Sequence, residues 1–197
     1  NKKSISKFFR YLLNKKKENY KVIIIDFGFG FLNKNIIKKL EKKISGFSLN
    51  VHANSLNSNY NKYSKYKKYN YLTMNLKEFQ LGLNTSENDV DTLINKSNNR
   101  IINYPYAVTL GVKGSVLIDK KQKKIYSPSF FKKTVDTVGA GDAYFSITSA
   151  LVNLKIDHLL TSFIGNVYAG LHSLQIGNKK FVTKEELLNS IYTILNE

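Results

Sequence analysis

Asp136-Thr137-Val138-Gly139-Ala140-Gly141-Asp142 sets two carboxylates around a Gly-Ala-Gly turn and runs straight into Ala143-Tyr144-Phe145-Ser146-Ile147-Thr148-Ser149-Ala150-Leu151-Val152. The second stretch has the length and apolar spacing of a buried helix, so the turn is predicted at a helix N-terminus. The first N–H groups of a helix have no partner within it, and the positive end of the helix dipole lies behind them. Such a tip is a ready site for an anion. Gly139 and Gly141 carry no Cβ, which lets a ligand approach the main chain. Asp142 then puts a carboxylate beside the bound anion, a costly arrangement that suits a general base taking the proton of a hydroxyl that attacks a phosphoryl group. The plain alternative is a glycine turn whose aspartate caps the helix.

The whole pattern from Asp136 to Asp142 resembles the second signature of the ribokinase-like (PfkB) carbohydrate kinases. The resemblance implies that Asp142 is the catalytic base and that the amides of Gly139, Ala140 and Gly141 form the anion hole. It implies that Asp136 helps to hold a monovalent cation such as K⁺. ATP as phosphoryl donor, Mg²⁺ and a sugar or sugar-phosphate acceptor follow from the same likeness. So does the expected fold, a three-layer α/β/α domain with a mostly parallel sheet and an antiparallel hairpin edge, here without the N-terminal lid part.

Composition sets the outer limits. A chain of 197 residues with 42% hydrophobic and 13% aromatic residues is long and apolar enough for one domain with a real core, and is not a disordered segment. No apolar run is long enough to cross a bilayer, and the basic start has no signal-peptide core. With no Cys, thiolate chemistry and disulfides are excluded, and a reducing cytoplasm is the expected location. The net charge of +17 invites a nucleic-acid partner. Yet all but two of the 31 basic residues, Arg10 and Arg100, are Lys, whereas phosphate and base recognition draws on the bidentate fork of Arg. Most of the charge is therefore assigned to a composition also rich in Asn, Ile, Tyr and Phe. The chain begins on Asn1 and enters directly on a basic helix, so residues 1–197 are expected to be a single α/β domain, the C-terminal nucleotide-binding portion of a longer protein.

In chain order, residues 4–17 read as an amphipathic helix with Ile5, Phe8, Phe9, Leu12 and Leu13 on one side. Val22-Ile23-Ile24-Ile25 reads as a parallel strand buried on both faces, and Asn33 as the cap of a helix whose core face is Ile36, Ile37, Leu40 and Ile44. Between them, Asp26-Phe27-Gly28 lacks the His-Arg-Asp loop of protein kinases, and Gly28-x-Gly30 lacks the third glycine of a dinucleotide fingerprint, since position 33 is Asn. Asp26 either faces the substrate from the end of this strand or is a solvated aspartate in a glycine turn. The next strand is 47–51. His52 at its exit is either a phosphate contact or a structural histidine. The Lys, Tyr and Asn alternation from 59 to 71 resembles an aromatic-cation surface for single-stranded RNA, against the plainer reading of a lysine-rich crossover outside the sheet.

Tyr71-Leu72-Thr73 is read as a strand end and Met74 to Phe79 as the start of a helix. Asn75-x-x-Glu78 puts two polar side chains on one face at the N-terminal end of that helix, suited to a hydrated Mg²⁺ or to ordinary capping. The family resemblance implies the Mg²⁺ and phosphate role for both. Tyr106–Leu110, a Gly111-Val112-Lys113-Gly114 turn and Ser115–Ile118 with Ile125-Tyr126 predict a hairpin edge. Thr109-x-Gly111-x-x-Gly114 matches a segment of the family that meets the nucleotide phosphates. Asp157 caps a helix predicted to continue through Leu174 to Gly177. Asn166 on it is implied by the resemblance to lie near the adenine. Thr183-x-x-Glu186 is a capping box for the last helix.

The order Asp26-Phe27-Gly28-x-Gly30, Asn50-Val51-x-x-Asn54, Asn75-x-x-Glu78, Gly165-Asn166 and Gly177-Asn178-Lys179-Lys180 is similar to the branch that contains heptose-phosphate kinases. That likeness implies a heptose-phosphate-like acceptor and a nucleotidyltransferase domain fused upstream; the expected assembly is a homodimer. The competing function is a non-catalytic nucleotide- or RNA-binding module on the same fold.

Overall fold

Six short runs rich in Ile, Val, Leu and Tyr form a six-stranded sheet in the order β1-β2-β3-β4-β5-β6. They are β1 (Ile23–Asp26), β2 (Ser48–Val51), β3 (Tyr71–Asn75), β4 (Tyr106–Thr109), β5 (Ser115–Ile118) and β6 (Lys124–Ser127). The first four strands run parallel, and β5 and β6 continue antiparallel. The helices are α1 (Lys2–Lys17), α2 (Lys34–Lys43), α3 (Leu76–Leu83), α4 (Val90–Ser97), α5 (Ala140–Asn153), α6 (His158–Ser173) and α7 (Lys184–Asn196). This computed structural model describes residues 2–17, 20–53, 61–98, 100–101, 105–131, 133–177 and 180–196. The expectations that involve Asn54, the start of the 59–71 alternation, Asn178 and Lys179 lie outside the described residues.

Strand periodicity splits the core in two. Leu72, Met74, Tyr106, Val108, Val116 and Ile118 face one side, where they pack with Phe9 of α1, Ile36, Ile37 and Leu40 of α2, Phe79 of α3, and Leu93 and Ile94 of α4. Tyr71, Ala107, Leu117 and Ile125 face the other side, against Tyr144 and Phe145 of α5. Each fully buried Leu or Phe contributes roughly 1.5–3 kcal/mol of transfer free energy. Both faces of the central strands are covered, which is the expected α/β/α layering.

Four local expectations change. The first strand lies at the sheet edge and alternates, with Ile24 and Asp26 buried while Ile23 and Ile25 are exposed, so it is buried on one face only. The third strand runs two residues further than its sequence promised. Met74 pairs with Val108 and is buried, and Asn75, the N-cap of α3, takes the extended backbone that an N-cap requires. Tyr63, Tyr66, Tyr69 and Tyr71 are core residues, so among the described residues the alternation offers no aromatic RNA platform; lysines at 62, 65, 67 and 68 stay partly or fully exposed. Helix α6 stops at Ser173, where the Leu174 and Gln175 N–H groups bond back to Leu171 O and His172 O and tighten the last turn.

The predicted caps hold. Asn33 Oδ1 accepts from Asn35 N and Ile36 N, Asp157 caps α6, and Thr183 and Glu186 exchange bonds at the start of α7. At the β4–β5 turn Gly114 has φ +89°, and a Cβ there would lie 2.1 Å from Ser127 O, so only glycine fits where β6 passes. No helix among the described residues is long and apolar enough to cross a membrane.

Candidate functional site

Parallel pairing brings the C-terminal ends of β2, β3 and β4 side by side, with Asn75 and Thr109 direct register partners. Ligands bind beyond such strand ends in open α/β sheets. A cleft of about 340 Å³ opens there, lined by Asn75, Thr109, Gly111, Thr137, Gly141 and Asn166 among others. Residues that span half the sequence meet in one cavity. A smaller recess of about 30 Å³, room for a water or two, joins Asn50, His52, Asn75, Glu78, Thr109 and Gly141.

The tip of α5 is built as the glycines predict. Gly139 is its N-cap with φ +83° and no side-chain cap, a backbone that costs an L side chain about 1–2 kcal/mol. A Cβ at Gly141 would meet nothing within 4 Å, so this amide is open to a ligand. The Ala140 N–H, expected in the anion hole, instead donates to Thr137 O at 3.2 Å and closes the turn. Among the described residues, Gly139, Gly141 and Asp142 are the tip amides that have no main-chain partner.

Asp142 stands on the other side of this tip. Its side chain is 38% exposed, and it lines a groove with Ile25, Ser146, Tyr168 and His172, whereas its neighbour Gly141 lines the 340 Å³ cleft. Its Oδ1 lies 2.8 Å from His52 Nε2, 90 residues away in sequence. His52 Nδ1 is 3.9 Å from Glu78 Oε1. The hydrogen bond to Asp142 is the largest influence on His52 and, with the nearby carboxylates, holds its pKa above the ordinary 6.5 against the opposing effect of burial. No spacing in the sequence signals this pair, because it forms only when β2 and α5 pack across the sheet end.

Asn75 and Glu78 form a complete capping box on α3. Glu78 Oε2 accepts the Asn75 N–H at 2.9 Å, and Oε1 accepts the Ala53 N–H at 3.1 Å. Burial raises the Glu78 pKa above its usual value, opposed by these two bonds. Glu78 lines the recess with Asn50, whose Oδ1 is a buried acceptor without a partner. Such a donor set fits a hydrated Mg²⁺ held through its waters. No cluster of three or more His, Asp or Glu side chains that would bind a bare metal occurs among the described residues.

The remaining expected residues divide. Thr109 and Gly111 line the cleft, with Gly114 beside them in the turn. Asn166 also lines it, but its amide nitrogen is committed to Ser115 Oγ (2.8 Å) and Ser162 O (3.0 Å), tying α6 to the hairpin. Asp136 accepts the Val138 N–H with Oδ1 and the Gly177 N–H with Oδ2, each at 2.9 Å, and these bonds hold its pKa below the usual carboxylate value. Both oxygens retain a lone pair, so the donor chemistry fits a monovalent cation. Asp26 is not a solvated aspartate. It is 4% exposed and binds Tyr66 Oη at 2.7 Å, Lys65 Nζ at 2.6 Å and the Gly28 N–H at 2.9 Å.

The sequence model of the pfkB family of carbohydrate kinases matches residues 35–160, from α2 into α6. Among solved structures, the chain is similar to phosphofructokinase-2 from Escherichia coli in complex with potassium, with a TM-score of 0.74 and 17% identity over 96% of this chain and 62% of that one. It is similar to ribokinase from Thermotoga maritima (TM-score 0.69, 18% identity, 87% of this chain and 57% of that one). Ribokinase from Arabidopsis thaliana complexed with ribose and ATP gives a TM-score of 0.70 and 18% identity, over 86% and 55% of the two chains. Identities this low show the fold alone. The chain spans 62% or less of the length of these three structures. No curated protein matches its sequence.

Proposed function

The chain belongs to the pfkB family of carbohydrate kinases, and from that premise we propose that it is the nucleotide-binding portion of an enzyme that transfers the γ-phosphoryl group of ATP to a hydroxyl of a sugar or sugar phosphate. The observation that carries this reading is the two-sided tip of α5. Gly141 opens on the cleft shared with Thr109 and Asn75, and Asp142 stands one residue on, facing the neighbouring groove. A phosphate seated on the tip has its nucleotide on the first side and its acceptor on the second, the placing that in-line displacement requires.

In this arrangement Asp142 accepts the proton of the attacking hydroxyl, and the amides of Gly139, Gly141 and Asp142 donate to the oxygens on which charge builds. Thr109 and the Gly111–Gly114 turn border the nucleotide side. Glu78, Asn75 and Asn50 would hold Mg²⁺ through water, and the ion supplies positive charge at the β- and γ-phosphates when bound. Asp136 would hold the monovalent cation beneath the tip. A heptose-phosphate-like acceptor is the narrower form of this proposal, supported by the order of motifs from Asp26 to Lys180.

Replacement of Asp142 by Asn tests it. In the intact parent enzyme, with Mg-ATP and a panel of acceptors that includes ribose and heptose phosphates, turnover is expected to fall about 10²–10⁴-fold while stabilisation of the fold by ATP persists. Near-normal turnover in that variant would remove the base from the scheme. Absence of any ATP stabilisation, with RNA binding that survives physiological salt, would favour a non-catalytic RNA module instead.

A further inference from the structure

A carboxylate in the first turn of a helix has a default partner close by. Three residues into α3, Glu78 shows it by folding back onto the N-cap N–H of Asn75 at 2.9 Å. Asp142 occupies the same position on α5, three residues after the N-cap Gly139. Folded back in the same way, it would cover the tip amides that a phosphate needs. It does not fold back. Its Oδ1 instead meets His52 Nε2 at 2.8 Å across the sheet end.

His52 is itself held on three sides. Its N–H donates to Asp26 O at 2.9 Å, and its carbonyl accepts from Asn61 Nδ2 at 2.8 Å. Asn61, 1% exposed, also donates to Asp26 O at 2.9 Å and so locks the two strand ends together. The imidazole lies flat against Phe27, with ring centroids 4.8 Å apart and planes at 6°. Such stacking fixes the ring plane, and with it the direction of Nε2.

From this geometry, and resting on the reading of Asp142 as the base, we infer that His52 is the positioning residue of the phosphoryl-transfer site: its Nε2–H holds Asp142 Oδ1 off the helix tip. That leaves the tip amides to the phosphate and Oδ2 to the acceptor hydroxyl. His52 touches neither substrate. Its action passes entirely through Asp142, which separates this role from that of a phosphate ligand.

Two measurements test the inference. In protein labelled with ¹⁵N-histidine, His52 is expected to show a hydrogen-bonded imidazole N–H signal that is lost in Asp142→Ala while the His158 signals stay. A His52 signal unchanged by Asp142→Ala overturns the contact. In turnover with Mg-ATP and the same acceptor panel, His52→Ala is expected to lose about 10–10²-fold in kcat with KM for ATP unchanged. His52→Gln, which keeps a donor within reach, recovers to within a few-fold, and His52→Ala added to Asp142→Asn costs nothing further. Full turnover in His52→Ala overturns the inference, as does an undiminished loss in the Asp142→Asn background, the mark of a direct substrate contact. If Asp142→Asn is itself fully active, the proposed function fails. If it is inactive while His52→Ala is normal, only the positioning role does.

Discussion

Asn75 Oδ1 accepts the Glu78 N–H at 2.8 Å while Glu78 Oε2 accepts the Asn75 N–H at 2.9 Å, so two residues that line the recess beside the cleft are each other's cap. The motif starts α3, and under the proposed function it would also hold Mg²⁺ through water. The two roles separate by substitution. Asn75→Ala removes a cap and is expected to cost about 1 kcal/mol of stability, read from urea unfolding. Glu78→Gln keeps one acceptor, for the Asn75 N–H, but turns an NH2 toward the Ala53 N–H, so it should cost about 1–3 kcal/mol. The Mg²⁺ concentration for half-maximal turnover should rise about tenfold or more. An unchanged Mg²⁺ requirement would make the pair a cap and nothing else.

Packing beneath the site rests on a close approach of α5 and α6. A Cβ at Gly165 would lie 2.5 Å from Thr148 Cγ2 and 2.7 Å from Tyr144 Cε2, both side chains fully buried. Neither has space to retreat, so Gly165→Ala should cost about 1–3 kcal/mol despite the better helix propensity of alanine. Tyr144 Oη accepts from Ser115 Oγ, which also receives the Asn166 amide, so a shifted ring reaches the cleft wall. Weaker ATP stabilisation should accompany the loss. A variant as stable as wild type would show that the helices part without strain.

The elements with strong periodicity were legible from sequence, and so was the tip of α5, because glycines next to a buried apolar helix leave few alternatives. Asn33, Asp157 and the Thr183–Glu186 box cap the helices that they were expected to cap. What escaped depends on chain segments that come together only in space. A run such as Val22–Ile25 looks buried on both faces until its edge position exposes Ile23 and Ile25. The tyrosines from 63 to 71 look like a surface stripe until Tyr66 finds Asp26 and Phe47. His52 is one of three histidines, and nothing local distinguishes it. Its meaning lies in a contact made 90 residues later.

That contact makes stability depend on pH. The pKa of His52 is raised in the folded state, chiefly by its hydrogen bond to Asp142, above an unfolded value near 6.5. A group raised in this way contributes stability that is fully present below the unfolded value and is lost as pH rises through the folded one. The stability gap between wild type and His52→Gln should therefore be widest below about pH 6.5 and narrow as pH rises above it. Urea midpoints across that range give the answer. A gap that widens with pH would mean that the imidazole is held neutral.

Gly141→Ala separates ligand from scaffold more cleanly than any other change at the tip. The position lies in the first turn of α5, outside the left-handed region, and a Cβ there meets nothing within 4 Å. Alanine is the better helix former by up to about 1 kcal/mol, so the variant should be as stable as wild type or slightly more so. Gly139→Ala, by contrast, forces an L side chain to φ +83° and should lose about 1–2 kcal/mol. The open space at Gly141 is the space a phosphate would fill, and a methyl group in it keeps the oxygens from the amide behind. Loss of one such donor typically costs 10²–10³-fold in turnover, so Gly141→Ala should show about that loss, with weakened ATP stabilisation and an intact melting curve. Unimpaired turnover and ATP stabilisation in a well-folded Gly141→Ala protein would mean that the phosphate sits elsewhere, and the two-sided arrangement of Gly141 and Asp142 would lose its chemical meaning.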